Sequence, residues 1–202
     1  MKRIIVSCVM LLGLLSTTAF AAIGPQQLVE QTAQTMLDKL EQEKQLIEAE
    51  PGRIYGLVDE IVVPHFDFEY MSQMVLAKHW RRASAVQRKA FTLEFRQLLV
   101  RTYATSLKEY ADQELIYLPF REGKKKDQAI VRTEVEQAGG FPIPIDYRLH
   151  QNSSDWKVFD VVIDGVSLVT NYRTSFAKEI RSGGLDSLIN TLAKRNLEVR
   201  GE

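Results

Sequence analysis

Residues 141–150 (FPIPIDYRLH) and residues 156–163 (WKVFDVVI) decide the fold, because each has the pattern of a β-strand. In the first stretch apolar residues alternate with proline or polar residues, which is the period of a strand with one covered face. In the second, apolar residues occupy both parities, so both faces of the sheet are expected to be covered there. Residues 131–136 (VRTEVE) alternate in the same way as the first stretch. Turn-forming segments at 123–127, 138–140 and 152–155 separate these strands, so the sequence predicts an antiparallel meander after Gln113.

Helical periodicity lies on both sides of this sheet. Upstream, apolar residues recur at helical spacing in residues 25–47, 51–62, a stretch after Asp67, and 84–110. Asp67 is expected to cap the third of these helices, and Ser84 with Gln87 has the spacing of a capping box. Downstream, residues 168–195 predict two helices that are separated at Gly183-Gly184. The predicted fold class is therefore α+β, with N-terminal helices, an antiparallel sheet and C-terminal helices.

The first 21 residues have the features of a cleaved secretory signal peptide. Lys2 and Arg3 precede an apolar run of about a dozen residues, and Ala19-Phe20-Ala21 places the cut after Ala21. The run is too short to span a bilayer. A lipidation-like tetrad ends at Cys8, but too few apolar residues precede it, so cleavage is favoured. Residues 22–202 are then predicted to form one domain, without membrane helices, outside the cytoplasm.

The composition argues against several classes of function. The chain has 202 residues, with 26 Lys plus Arg and 26 Asp plus Glu, so no overall positive field favours nucleic-acid binding. A single cysteine cannot form an internal disulfide or a cysteine zinc site. Glycine-rich phosphate loops are absent from the sequence, which removes the usual evidence for a nucleotide.

The sequence offers no convincing catalytic or metal site. His65 and Asp67 could form an acid–base pair, but a helix cap beside an ordinary histidine is the favoured interpretation. No two histidines have the spacing i and i+4, so a metal site is unmotivated. Lys124 to Lys126 form the main basic run, and a solvated turn is favoured over a docking patch for an acidic partner or anionic headgroups. We therefore expect no enzyme activity.

The strongest helix carries a wide aromatic-rich stripe, formed by Phe91, Phe95, Leu98, Leu99, Tyr103, Leu107 and Tyr110. Such a stripe either packs into a filled core or lines a cavity. Periodicity does not separate these two alternatives.

The chain resembles a known family from its signal peptide almost to its C-terminus. The most specific segment is residues 164–173 (DGVSLVTNYR), followed by Phe176 and by Gly184-Leu185-Asp186. A second block comprises residues 64–68 (PHFDF), 75–76, 79–81, 87–88 and 95–96, with Leu99 and Tyr103 after them. These segments resemble the MlaC or toluene-tolerance family of periplasmic phospholipid-transport proteins.

The resemblance implies a fold, a function and a set of partners. The fold would be a cone like that of nuclear transport factors, in which a curved sheet and helices enclose a deep apolar pocket. The function would be a soluble, monomeric periplasmic carrier that shuttles phospholipid between the two membranes and helps to maintain outer-membrane lipid asymmetry. The expected partners are the inner-membrane Mla transporter, through its substrate-binding ring protein, and an outer-membrane lipoprotein–porin complex. No cofactor is implied besides the lipid cargo.

Pattern and family motif together nominate residues that line the lipid pocket. The candidates are Val75, Tyr103, Leu107, Tyr147, Phe159, Val161, Val166, Val169 and Phe176. For each of them, ordinary core packing is the alternative.

Two other classes of function stay open at this point. A cone-fold enzyme would need a polar group such as Asp160, Asp146 or His65 at the pocket floor. An adaptor that only bridges membrane complexes would have a filled core and no extractable ligand.

Overall fold

The α+β fold class that the sequence predicts is confirmed in a computed structural model, which describes residues 23–109, 113–123, 125–137, 139–152 and 155–198. The predicted signal peptide, residues 1–21, lies outside the described residues. The helices are α1 (Pro25–Gln42), α2 (Lys44–Ala49), α3 (Arg53–Ile61), α4 (Phe68–Leu76), α5 (Lys78–Arg82), α6 (Ala85–Glu109) and α7 (Leu168–Glu198). The strands are β1 (Leu115–Tyr117), β2 (Arg121–Glu122), β3 (Gln128–Val135), β4 (Ile143–Asn152), β5 (Asp155–Ile163) and β6 (Val166–Ser167). Within these described ranges, no helix is both long and apolar enough to cross a membrane.

The strands form one antiparallel sheet in the order β1-β3-β4-β5-β6, and β2 also pairs with β3. The register places Val135 opposite Leu115 and Ile143, and Ile163 opposite Ile145. These residues therefore mark one end of the sheet. The predicted meander is confirmed for β3, β4 and β5, and β5 is buried on both faces as its apolar pattern indicates.

A β-bulge interrupts the pairing of β4 with β5. Arg148 lies opposite Asp160 and Leu149 lies opposite Val158, which leaves Phe159 without a partner. A bulge residue shifts the alternation of side chains along its strand. Val158 and Val161 consequently face the same side of the sheet although they differ in parity.

The helix ends follow the sequence signals closely. The Tyr70 amide donates to Asp67 Oδ1 (2.9 Å), so Asp67 caps α4. Ser84 and Gln87 form the reciprocal hydrogen bonds of a capping box at the start of α6. Gly184, with a φ of 81°, interrupts α7 at the predicted break. The helix predicted over residues 25–47 is instead divided at Glu43, whose carboxylate accepts two hydrogen bonds from Arg53.

The buried side chains form two clusters. The larger one joins α4, α6, α7 and the sheet, and its centre is aromatic: Phe91 stacks on Phe95 (5.6 Å), and Phe176 meets both rings edge-on (5.9 and 6.0 Å). The smaller one joins α1, α2, α3 and α6. The space between the two clusters is not filled, and it contains the candidate site.

Candidate functional site

A cavity of about 380 Å³ lies between α1, the segment from α3 to α4, α6 and the inner face of the sheet. The helices and the segment between α3 and α4 contribute Leu28, Val29, Thr32, Ala33, Met36, Leu37, Leu40, Val58, Val62, Val63, His65, Phe66, Phe68, Met71, Leu99, Val100, Tyr103, Ala104, Ser106, Leu107 and Leu168. The sheet and the loop that precedes it contribute Gln113, Leu115, Val135, Ile143, Ile145, Tyr147, Val158, Val161 and Ile163. None of these lining residues is Asp, Glu, Lys or Arg, so the wall is almost entirely apolar.

Helix α1 forms one complete wall of the cavity. Its lining residues extend from Leu28 to Leu40 and recur every three or four positions, so they share one face of the helix. The family resemblance carried little signal in this helix, and none of its residues was nominated. The helical stripe in residues 25–47 was visible in the sequence, and it is the signal that could have found this wall.

The opposite wall is the inner face of the sheet. On β4, alternate residues from Ile143 to Tyr147 face the cavity, as period-two alternation requires. On β5, Val158, Val161 and Ile163 face it, and the spacing of three between the first two reflects the bulge at Phe159. The cavity thus reaches the end of the sheet that Val135 and Ile143 mark.

The aromatic-rich stripe of α6 was expected either to pack into a filled core or to line a cavity. It does both, in different halves of the helix. Phe91 and Phe95, in its N-terminal half, are fully buried and pack against α7. Leu99, Tyr103 and Leu107, in its C-terminal half, line the cavity. The aromatic half of the stripe is filled core, and the later half is cavity wall.

Four of the nine nominated residues lie on the cavity wall. Tyr103 and Leu107 come from α6, Tyr147 from β4 and Val161 from β5. Tyr147 and Val161 are direct partners in the sheet register. The structure therefore brings these four side chains around one space, and their contact with a ligand stays a prediction.

The structure places the other five outside that wall. Val75, Val169 and Phe176 are buried in the larger cluster, because the faces of α4 and α7 that carry them pack against other helices. Phe159 is turned away by the bulge and contacts the rings of Tyr70 and His150.

Val166 also lies elsewhere than the sequence suggested. It is 54% exposed on the short edge strand β6, while its register partner Ile163 lines the cavity. Directly paired residues share a face of a sheet. Val166 therefore lies on the inner face of the sheet beside Ile163, but outside the cavity wall. A charged side chain at position 166 is therefore expected to be compatible with folding.

The few polar groups of the wall are held in their neutral forms. Burial, together with the neighbouring Tyr172, raises the pKa of Tyr103 to about 12. Burial also raises the pKa of Tyr147. Burial lowers the pKa of His65, and nearby Lys157 lowers it further. Gln113 Oε1 is buried without a hydrogen-bond partner. The cavity is thus suited to uncharged, apolar groups such as hydrocarbon chains.

Two acidic residues that an enzyme could use, Asp160 and Asp67, are engaged in contacts away from the cavity. Asp160 is 1% exposed, but its carboxylate accepts hydrogen bonds from Arg148 (3.0 Å), Ser167 (2.7 Å) and the Val169 amide (3.1 Å), and it does not line the cavity. Asp67 caps α4, and its Oδ2 lies 3.0 Å from His150 Nε2. In the part of the chain that is described, no group of three or more His, Cys, Asp or Glu residues could hold a metal ion.

Two known proteins are similar in sequence to this chain. An intermembrane phospholipid transport system binding protein, MlaC, from Haemophilus influenzae is 27% identical over 182 residues, which covers 89% of this chain and 85% of that protein. A toluene tolerance protein from Pseudomonas putida is 27% identical over 167 residues, or 82% of this chain and 77% of its own.

A solved structure has the same fold. It is that of a phospholipid-binding protein from Ralstonia solanacearum in complex with a phospholipid, with a TM-score of 0.78 and 30% sequence identity. The match covers 87% of this chain and 98% of that one. Residues 30–194 also match the family described as MlaC protein, so the chain belongs to the MlaC family.

Proposed function

We propose that this protein is a phospholipid carrier that holds the acyl chains of its cargo in the cavity between α1, α6 and the sheet. The observation that carries the proposal is the uncharged wall of that cavity, which is contributed by five helices and the sheet. The similar protein from Ralstonia solanacearum was solved in complex with a phospholipid. A relative from Haemophilus influenzae is named for intermembrane phospholipid transport.

The energy of lipid transfer explains why a carrier needs such a cavity. Two acyl chains contain on the order of 30 methylenes, and each costs about 0.8 kcal/mol when it is exposed to water. The exposure of both chains would therefore cost roughly 24 kcal/mol. A protein that carries a phospholipid through water must replace nearly all of that apolar contact, and a continuous apolar wall does so.

The same reasoning indicates that bound lipid stabilises the protein. As a rigid dry void, a cavity of about 380 Å³ would cost about 9 kcal/mol at ~24 cal/mol per Å³. That cost is comparable with the 5–15 kcal/mol stability of a typical domain. The cavity is therefore expected to hold lipid, or to contract when it is emptied.

The route of the carrier is part of the proposal. The signal peptide predicted in residues 1–21 would deliver the protein to the periplasm, where it would act as a monomer formed by one domain, residues 22–202. It would exchange lipid with the inner-membrane Mla transporter and with the outer-membrane lipoprotein–porin complex. In this role it performs no chemistry and uses no cofactor besides its cargo.

The two alternative functions have less support. An enzyme would need polar groups that converge in the cavity, and Asp160 and Asp146 do not line it. His65 does line it, but no carboxylate stands beside it on the wall. An adaptor would need no cavity, whereas the space between the two core clusters is large enough for a ligand.

Mass spectrometry of an organic-solvent extract tests the proposal. The mature protein is purified from the periplasm without detergent, and a periplasmic protein of similar size, purified in parallel, is the control. We expect near-stoichiometric phospholipid from this protein and only traces from the control. Well-folded protein that yields no more phospholipid than the control would contradict the carrier function.

A further inference from the structure

Residues 70–93 have an unusual distribution of charge. This segment contains five basic residues, Lys78, Arg81, Arg82, Arg88 and Lys89, and no Asp or Glu. Over the whole chain, the 26 basic and 26 acidic residues balance. This segment, which includes α5 and the first turns of α6, therefore carries a local excess of five positive charges.

The fold adds a further cation to this region from α7. Lys78, Arg82 and Arg181 all lie close enough to His79 to lower its pKa, after the larger effect of burial. The Gln87 side-chain amide donates to Asp186 Oδ1 (2.8 Å), which joins the start of α6 to α7 just beyond its break. Helix α5, the start of α6 and the middle of α7 therefore meet at one end of the molecule.

Most of these basic side chains are exposed and form no salt bridge within the described residues. Lys78, Arg81, Arg82, Lys89 and Arg181, which we call the basic end, are exposed. Among the described residues, none of the five forms a salt bridge. Arg88 differs from them, because its Nε donates to the Trp80 carbonyl and its guanidinium lies over the Trp80 ring. Asp186, which lies at this junction of α6 and α7, accepts the Gln87 amide.

An exposed apolar side chain accompanies the basic end. Val86, in the first turn of α6, is 78% exposed, and Lys89 is three residues further along the same face. Unpaired cations around an exposed apolar residue are typical of surfaces that contact a bilayer with anionic headgroups. An acidic protein would match the charges but would not account for Val86.

The basic end is separate from the cavity. Helix α6 begins at Ala85 and first lines the cavity at Leu99. Those 14 residues of helix correspond to about 21 Å at 1.5 Å per residue. A surface that contacts the basic end would therefore leave the cavity wall untouched.

We propose that the basic end docks the protein on a bilayer surface that contains anionic phospholipid. This docking function is additional to the proposed carriage of lipid, and it uses a different part of the molecule. The charged headgroups would neutralise the five cations, and Val86 would enter the boundary between headgroups and acyl chains.

Vesicle co-sedimentation tests this proposal with a triple variant, Arg81→Gln/Arg82→Gln/Arg181→Gln. The wild-type protein is expected to bind vesicles of phosphatidylcholine mixed with phosphatidylglycerol, and not vesicles of phosphatidylcholine alone. Each cation near such a surface strengthens binding about fivefold, so the triple variant should bind roughly a hundredfold more weakly. Binding by the wild type should also weaken as salt is added.

A matched variant, Lys44→Gln/Lys125→Gln/Lys126→Gln, removes the same charge from exposed positions on other elements. It should bind the anionic vesicles nearly as well as the wild type. Equal loss of binding in both triple variants, or no preference of the wild type for anionic vesicles, would overturn the proposal. If the wild type showed no preference for anionic vesicles, an acidic protein would be the better candidate for this surface. The amount of lipid extracted from the Arg81→Gln/Arg82→Gln/Arg181→Gln variant should equal that from the wild type. A loss of vesicle binding is therefore distinguishable from a failure of the carrier function.

Discussion

The Ala33→Trp variant is expected to fold normally and to purify without phospholipid. Ala33 lies in the middle of the α1 wall, and its side chain faces the cavity. An indole at this position would occupy volume that the acyl chains need. Because the space already exists, the indole fills it without the displacement of packed atoms that makes larger side chains costly in a closed core. The variant should therefore unfold at or above the temperature of lipid-free wild type.

The measurement is the amount of phospholipid per protein in an organic extract, together with the thermal unfolding temperature. Gln34→Trp is the matched control, because it introduces the same side chain one position along α1 on the exposed face. The control should retain its lipid. A folded Ala33→Trp protein with as much lipid as the Gln34→Trp protein would show that the lipid is not held in this cavity.

The Asp160→Ala variant is expected to lose about 3 kcal/mol of unfolding free energy, because three hydrogen bonds to a buried carboxylate disappear. One of these bonds comes from the Val169 amide in the first turn of α7. A carboxylate at a helix N-terminus also interacts favourably with the helix dipole. Its loss should free the start of α7, which carries the cavity-lining Leu168.

Thermal unfolding near pH 7 measures this effect, which should lower the midpoint by roughly 6–12 °C for a chain of this size. Asp146→Ala is the control on the neighbouring strand. Within the described residues, the Asp146 carboxylate has no hydrogen bond or ion pair, so its removal should cost less than about 1 kcal/mol. If the two variants were equally stable, Asp160 would not be the anchor of α7 that the hydrogen bonds indicate.

The elements of the fold could be predicted because their signals are local. The alternation in residues 141–149 depends on nearest neighbours, and the structure has a strand there from Ile143. The Ser84–Gln87 capping box and the break at Gly184 are equally local, and both are present. Pattern alone was therefore sufficient for the α+β class and for most helix ends.

The positions of the candidate site residues were harder to predict, because they depend on packing between distant elements. Phe159 and Val161 share a parity, but the bulge in β5 separates them, and no feature of the strand's hydrophobic pattern marks that bulge. On α7, Leu168 faces the cavity while Val169 faces the core. A shift of one position along the helix decides whether a side chain faces the cavity or the core. Both environments favour apolar side chains, so the sequence does not distinguish them.

The α1 wall shows a different limit. Its apolar stripe predicts an amphipathic helix but does not reveal whether its partner is protein or an empty space. Met36 and Leu40 in fact contact both, since they belong to the smaller core cluster and also line the cavity. Only the three-dimensional arrangement of α1 opposite the sheet identifies the cavity.

Photo-crosslinking with a phospholipid that carries a diazirine at the end of one acyl chain tests the central claim most directly. The mature protein is loaded with this lipid, irradiated and digested, and the modified peptides are mapped by mass spectrometry. Adducts on the cavity-lining segments, residues 28–40 of α1, 99–107 of α6, 143–147 of β4 and 158–163 of β5, are the predicted result. Adducts confined to surface residues outside these segments would contradict the assignment of this cavity as the lipid site.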